Sequence, residues 1–418
     1  MKAMRNRTLL ISVFASTLAP VWACATSDGV AAGPPPPEDS TLSLDGGRDG
    51  SAEDELPDVI KGRSTCSIDG FCFVPMAVPP LIAVSAASVD DAWMLPASSN
   101  VLFHWDGDSL NQRYEYVGAN PPSIVFVGLW AEKKDDVWAV ANGSDGRIVV
   151  VRYSSPAAGD SPRFRELPTD VPSSTTPALW GTPEGDALWL ATESSILRVR
   201  EESETAVVET FFPTNDADGP AGYRWRGIWG FGMNDIFVAG AACSSDPCAS
   251  GTTRGVIAHY DGADWSFTFM EETTEVLSLR GTPPGADRRL WYHQLEPIRF
   301  RGTLPKTYLV PVDADGALGA PLFTHVKEDA PACTSRIGHA SSSGAWLSDG
   351  LLVCRWGGSD FESVSMSIDG RPVVGNVNAI WNDGPDDVWV VGAAVAPTGL
   401  PAKGFAARRT AKTAKGGQ

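Results

Sequence analysis

One short phrase recurs along this chain and restricts what it can fold into: a turn, often acidic, followed by an apolar residue and a large aromatic. It appears as Asp90-Asp-Ala-Trp93, Asp135-Asp-Val-Trp138, Asp186-Ala-Leu-Trp189, Asn234-Asp-Ile-Phe237, Arg289-Leu-Trp291, Gly344-Ala-Trp346 and Asp386-Asp-Val-Trp389. Trp93 to Trp389 covers 296 residues in six steps, about 49 per repeat. Blades of β-propellers repeat at roughly 40 to 50 residues, whereas ankyrin and leucine-rich repeats are shorter.

Each copy has the same internal order, clearest in the fourth. Tyr223 to Gly230 is followed by a turn, then Asp235 to Gly240, a loop, Gly255 to Gly262, and Trp265 to Phe269. Apolar and aromatic residues alternate, and Gly, Pro and Asp separate the runs, which is the signature of antiparallel strands. The expected fold is therefore all-β, a seven-bladed propeller of four-stranded antiparallel blades. Blades diverge away from the axis, so a bulky ring once per repeat suits the wedge between them. Trp93, Trp138, Trp189, Phe237, Trp291, Trp346 and Trp389 are expected in the core.

The last repeat stops after its third strand, Gly404 to Arg408, while Phe71-Cys-Phe-Val-Pro-Met76 precedes the first repeat without a partner. The amino-terminal strand is expected to complete the final blade, which removes two exposed sheet edges.

The Trp-Gly, Asp-Asp-Val-Trp and His-Tyr-Asp-Gly phrases, over roughly residues 71 to 409, resemble the repeats of exported bacterial β-propeller lipoproteins. They are distantly similar to the Asp-box propellers of the sialidase type. The second resemblance would imply an arginine cluster and a Tyr-Glu nucleophile pair. Arg224, Arg226, Arg280, Arg336 and Arg355 are present, as are Tyr223 and Tyr292, but the Phe-Arg-Ile-Pro phrase and intact Asp boxes are not. Trp105-Asp-Gly107 and Tyr260-Asp-Gly262 keep only the Asp-Gly turn, expected as hairpin chemistry. A shared fold transfers no activity.

The ends carry an address. Lys2, Arg5 and Arg7 precede an apolar run from Leu9 to Trp22, too short for the roughly 20 residues of a membrane-spanning helix. This reads as an export signal. Val21-Trp22-Ala23-Cys24 resembles a bacterial lipobox, with Cys24 the lipidated residue, and cleavage after Ala25 is the alternative. The expected organisation is a signal peptide over 1–23, lipid attachment and a Gly/Pro/acidic tether over 24–65, the propeller over 66–409 and a basic tail over 410–418. Without Cys24, six of the seven cysteines remain, in close pairs: Cys66 with Cys72, Cys243 with Cys248, and Cys333 with Cys354. Export makes disulfides plausible, although six cysteines allow 15 connectivities.

A formal charge of -18 argues against a nucleic-acid partner. His104 and His259 occupy equivalent places in different blades and are expected to be hydrogen-bonded locally rather than to share a metal. Asn215 to Gly219 and Asp313 to Gly316 match only the start of a calcium loop. No phosphate loop or metalloprotease phrase occurs. The long insertions, 168–177, 213–222, 241–254, 313–331 and 393–403, are all expected on the rim that carries the second-to-third and blade-to-blade connections. Loops on a rigid scaffold are where recognition concentrates. Tyr223, Arg224 and Trp225, with Arg336, are the candidate binding residues there, since aromatic and Arg residues anchor interfaces. The expected function is a non-catalytic cell-envelope lipoprotein, monomeric and without cofactor, that uses this rim to bind an unknown envelope protein or glycan. The alternative is a carbohydrate-active hydrolase or lyase.

Overall fold

The computed structural model describes residues 66–411, apart from 75, 77, 117–123, 155–160, 162, 173–176, 194, 203–204, 212–221, 244–252, 271–273, 284–286, 299–301, 327–336, 342–343, 349, 351, 369 and 397–401. Residues 1–65 lie outside the described residues, and Cys24 and the expected tether fall there.

Seven four-stranded antiparallel sheets follow one another. Their first strands are Leu81–Ser88, Val125–Lys133, Ala178–Gly181, Gly222–Gly232, Glu275–Gly281, Ile337–Ser341 and Val374–Asn382. Each first strand touches those of the blades on either side, and the seventh returns to the first. The chain is a seven-bladed β-propeller, and these strands line its axis. In the last blade Gly404–Arg409 pairs with Cys72–Val74, Cys72 opposite Arg408. The amino-terminal strand thus closes the ring as expected, and a Cys66–Cys72 disulfide sits beside it. Cys243 and Cys354 are also disulfide-bonded. Cys248 and Cys333 lie outside the described residues.

Second strands are buried along most of their length, and Ala187–Ala191 throughout, because neighbouring blades cover both faces. Fourth strands alternate, as in Trp265–Phe269, because one face is solvated. The seven repeat aromatics are all buried, with Trp189, Phe237, Trp346 and Trp389 at 0% exposure. Four of them pack on rings of the following blade: Trp93 on Tyr153, Trp189 on Tyr260, Trp291 on Trp356, and Trp389 of the last blade on Trp105 of the first.

The acidic part of the repeat phrase also has a structural task. An acid two residues before the aromatic projects from the same face of the strand, and the third strand places a cationic or imidazole side chain opposite. Asp91 Oδ1 lies 2.8 Å from His104 Nε2, whose ring packs at a tilt on Trp93, 4.4 Å between centroids. Asp235 meets His259 at 2.9 Å beside Phe237. In the second blade Arg152 takes the histidine's place, bonded to Asp136 and lying 4.4 Å over Trp138. Both histidines are thus engaged locally. Gly107 and Gly262, each at φ +98°, close third-to-fourth turns in which Asp106 and Asp261 accept backbone N–H bonds. Those bonds hold both carboxyls below the usual range.

The loop assignment needs two corrections. Residues 168–172 belong to a fourth strand, Arg163–Pro172, rather than to an insertion. An outer edge strand pairs on one side alone, which is where proline is tolerated in a sheet, as at Pro168 and Pro172. Residues 312–322 join the third strand Gly302–Pro311 to the fourth strand Phe323–Val326, which places them on the opposite rim from the one expected. The corresponding strand ends of the second blade, Ser154 and Arg163, which are joined by eight residues, lie on that rim too. The other strand ends on that rim are joined by shorter stretches, and most of the strand ends joined by long ones, Cys243 with Thr253, Val326 with Ile337 and Ala394 with Gly404 among them, share the opposite rim.

Candidate functional site

At the long-loop rim the strand Gly222–Gly232 enters the axis with a bulge between Trp225 and Gly227. A bulge places one extra residue against its partner strand and turns successive side chains to unusual directions. Gly240 makes this approach possible, because a β-carbon there would collide with the Arg224 carbonyl.

The bulge sorts the predicted residues into two groups. Trp225 is 2% exposed and stacks on Tyr223 at 4.9 Å, and Tyr223 in turn stacks on Phe267. These rings are packing, with Tyr223 half-buried. Arg224 turns toward the next blade and forms a forked ion pair with Glu275, Nε to Oε1 at 3.0 Å and Nη2 to Oε2 at 2.7 Å. Arg226 donates to the same carboxylate at 3.1 Å and reaches Glu193 of the preceding blade at 3.9 Å. Three blades are thereby joined by charge at the mouth of the axis. Arg336 lies outside the described residues.

Sequence reasoning did not single out Glu193 and Glu275, since nothing in their neighbourhoods marks them; only the closure of the ring brings them to one guanidinium. Two carboxylates do meet at this mouth, but Glu275 is clasped as an ion-pair acceptor by two arginines. Paired-carboxylate hydrolysis needs one partner free to deliver a proton. Among the described residues no group of His, Cys, Asp or Glu is placed to hold a metal ion. The Asp313 loop uses its carboxylate internally, accepting the N–H groups of Asp315 and Ala317.

The axis carries a second feature, at the short-turn rim. Ser85, Trp130, Trp180, Trp229, Arg280 and Trp381 each stand opposite the repeat aromatic of their own blade, in one register. They occupy equivalent positions round the axis. The sequence signal was a Trp at this position in four of the seven first strands, followed by Gly in two, whereas the core aromatic recurs in all seven; the sixth blade has His339 in this register.

No family model matches the chain, and no curated protein matches it. Among solved structures it is similar to YCF48 from Cyanidioschyzon merolae, 12% identical over 82% of this chain and 99% of that one, with a TM-score of 0.51. It is also similar to a streptogramin B lyase, 11% identical over 81% and 97%, with a TM-score of 0.50. At these identities the likeness is one of fold, and that fold is the β-propeller.

Proposed function

We propose that this protein is an exported propeller, held to the cell envelope through Cys24, which binds a protein or glycan with its long-loop rim. The observation that carries the reading is the asymmetry of the ring. Strand ends joined by long stretches of sequence, Cys243 with Thr253, Val326 with Ile337 and Ala394 with Gly404, lie on one rim, around a mouth where Arg224, Arg226, Glu193 and Glu275 stay partly exposed. A rigid scaffold with variable loops round a charged centre favours recognition. The leader, the lipobox-like phrase and the Gly/Pro-rich tether support the anchor. The chain enters the propeller at Cys72 and leaves it after Arg409, both on the short-turn rim.

The test is a photo-crosslinking residue placed in the intact protein at Asn100 on the long-loop rim, or at Asp108 on the short-turn rim. Adducts from position 100 alone support the reading. Adducts mainly from position 108, or from neither in the native envelope, overturn it. Equal fatty-acid labelling of the parent and Cys24→Ala would refute the anchor. Release of sugar from a glycan panel would favour the hydrolase alternative, for which the meeting of Glu193 and Glu275 at one arginine is the supporting observation.

A further inference from the structure

The other end of the axis has a different chemistry. Ser85, Trp130, Trp180, Trp229 and Trp381 line a cavity of about 170 Å³ that opens at the short-turn rim past Pro183, Pro283 and Asp383. Trp130 meets Trp229, two blades away, edge-on at 6.1 Å, and meets Trp180 at 6.5 Å. Where these blades present an indole, the first presents Ser85, and this small side chain leaves the space open. The volume is close to that of an apolar cavity of about 150 Å³ that accepts benzene.

The polar groups and the charge of the lining select the guest. The Ser85 hydroxyl is engaged by the backbone of Ala131 at 2.8 and 3.3 Å, and the Asn382 side-chain nitrogen donates to the Gly384 carbonyl at 3.2 Å. With few oxygens left to replace a hydration shell, a strongly hydrated solute gains little on entry. Among the described residues that line the cavity Asp383 alone is charged; it is exposed and forms no ion pair with any of them. Asp387 on the same turn and Asp135 on the turn of the second blade are likewise without an ion pair among the described residues, and the chain's charge of -18 adds to their field. Arg280 holds the equivalent register position in the fifth blade, but it is not part of the lining and donates to the Leu279 carbonyl at 3.0 Å.

The face of an indole attracts a cation through its quadrupole, most strongly where water is excluded. Between its blades the protein already uses this attraction, with arginines 4.4 Å over Trp138, 5.4 Å over Trp189 and 5.6 Å over Trp346. Among the described residues no such cation lies over Trp130 or Trp180, although Trp180 is 1% exposed.

We propose that the short-turn end of the axis is a binding site for a quaternary ammonium group, its methyls among the indoles of Trp130, Trp180, Trp229 and Trp381 and its charge facing Asp383 at the mouth. Such a group is weakly hydrated and comparable to benzene in size. The site is separate from the long-loop rim and does not depend on what that rim binds.

Calorimetry on the full chain with choline, with neohexyl alcohol, its uncharged carbon isostere, and with ethanolamine tests this. Choline should bind saturably, with one site per chain, and both other probes should bind at least about tenfold more weakly, the scale of a desolvated cation-π contact. Trp130→Leu, which keeps apolar bulk but removes a π face, should weaken choline more than the alcohol. Asp383→Asn should weaken choline and leave the alcohol unchanged. Phosphatidylcholine vesicles separate the two sources of the group: protein that pellets with them and is released by free choline assigns it to a lipid headgroup, and choline binding without pelleting assigns it to a free solute, both upholding the site. The proposal is overturned if choline fails to saturate, if the alcohol or ethanolamine binds the parent protein as well as choline does, or if folded Trp130→Leu and Asp383→Asn both keep the full preference. The comparison of the three probes on the parent needs no variant, so a misfolded substitution does not shield the idea.

Discussion

The indole of Trp130 in the second blade lies against Gly181 of the third so closely that a β-carbon on the glycine would overlap it. Trp180 bears on Gly230 of the fourth blade, and Trp229 on Gly281 of the fifth, in the same way. The Trp-Gly phrase is thus a relay: each glycine makes room for the ring of the blade before it. Trp229 adds a hydrogen bond to the Thr282 carbonyl at 3.3 Å.

Gly181→Ala should therefore destabilise the ring by about 1–3 kcal/mol through overpacking, with the backbone unable to retreat. Urea denaturation followed by tryptophan fluorescence would show a lowered midpoint. Gly146→Ala meets no neighbouring atom and should cost less, through its positive φ alone. Equal losses at both positions would reject the relay.

Ring closure depends on Phe71, which is 0% exposed and meets Trp346 of the sixth blade edge-on at 5.7 Å. Phe71→Ala should cost about 3 kcal/mol or more. Hydrogen exchange should then rise first along Gly404–Arg409, which loses its partner strand. Uniform exchange over all seven blades would show that the closing strand is not the weak point.

Glu201 links the second and third blades through Arg165 and Arg152. Burial pushes its carboxyl up, but the hydrogen bonds and charges of the two arginines outweigh this and hold it below the usual 4.5. A carboxyl lowered by folding stabilises the folded state above its unfolded value, and that contribution is lost as pH falls through the folded one. Glu201→Gln should thus lower stability at pH 7 and flatten its decline below about pH 4.5. Parallel stability curves for parent and variant would contradict this.

Glu275 satisfies Arg224 and Arg226 together. Glu275→Gln should cost about 1–2 kcal/mol, because two half-buried guanidiniums lose their counter-charge. Adding Arg226→Gln should recover part of the loss in a double-mutant cycle. Strict additivity would mean that the three charges do not act as a unit.

The copy number, the strand order within each blade, the wedge aromatics and the closing strand were all legible in the chain, as was the local engagement of His104 and His259. Alternation and turn chemistry are local, and a repeated unit states them seven times. Of the candidate site, Tyr223, Arg224 and Trp225 were correctly placed at the entrance of a first strand. Their roles were not legible, because the bulge at Trp225 decides which side chain packs and which turns outward. The insertion at 312–322 was assigned to the wrong rim because a loop's rim follows from which strands it joins, and the pairing of Gly302–Pro311 with Arg289–Ile298 is visible only in the sheet.

By itself, then, the order of residues settled a closed rosette of seven sheets, since each blade's pattern is written within about 49 neighbouring residues. Which charges meet at one mouth, and which tryptophans and arginine surround the axis at the other, came only from closure. Those contacts join residues of different blades, as with Glu193, Arg226 and Glu275, and no local pattern encodes them.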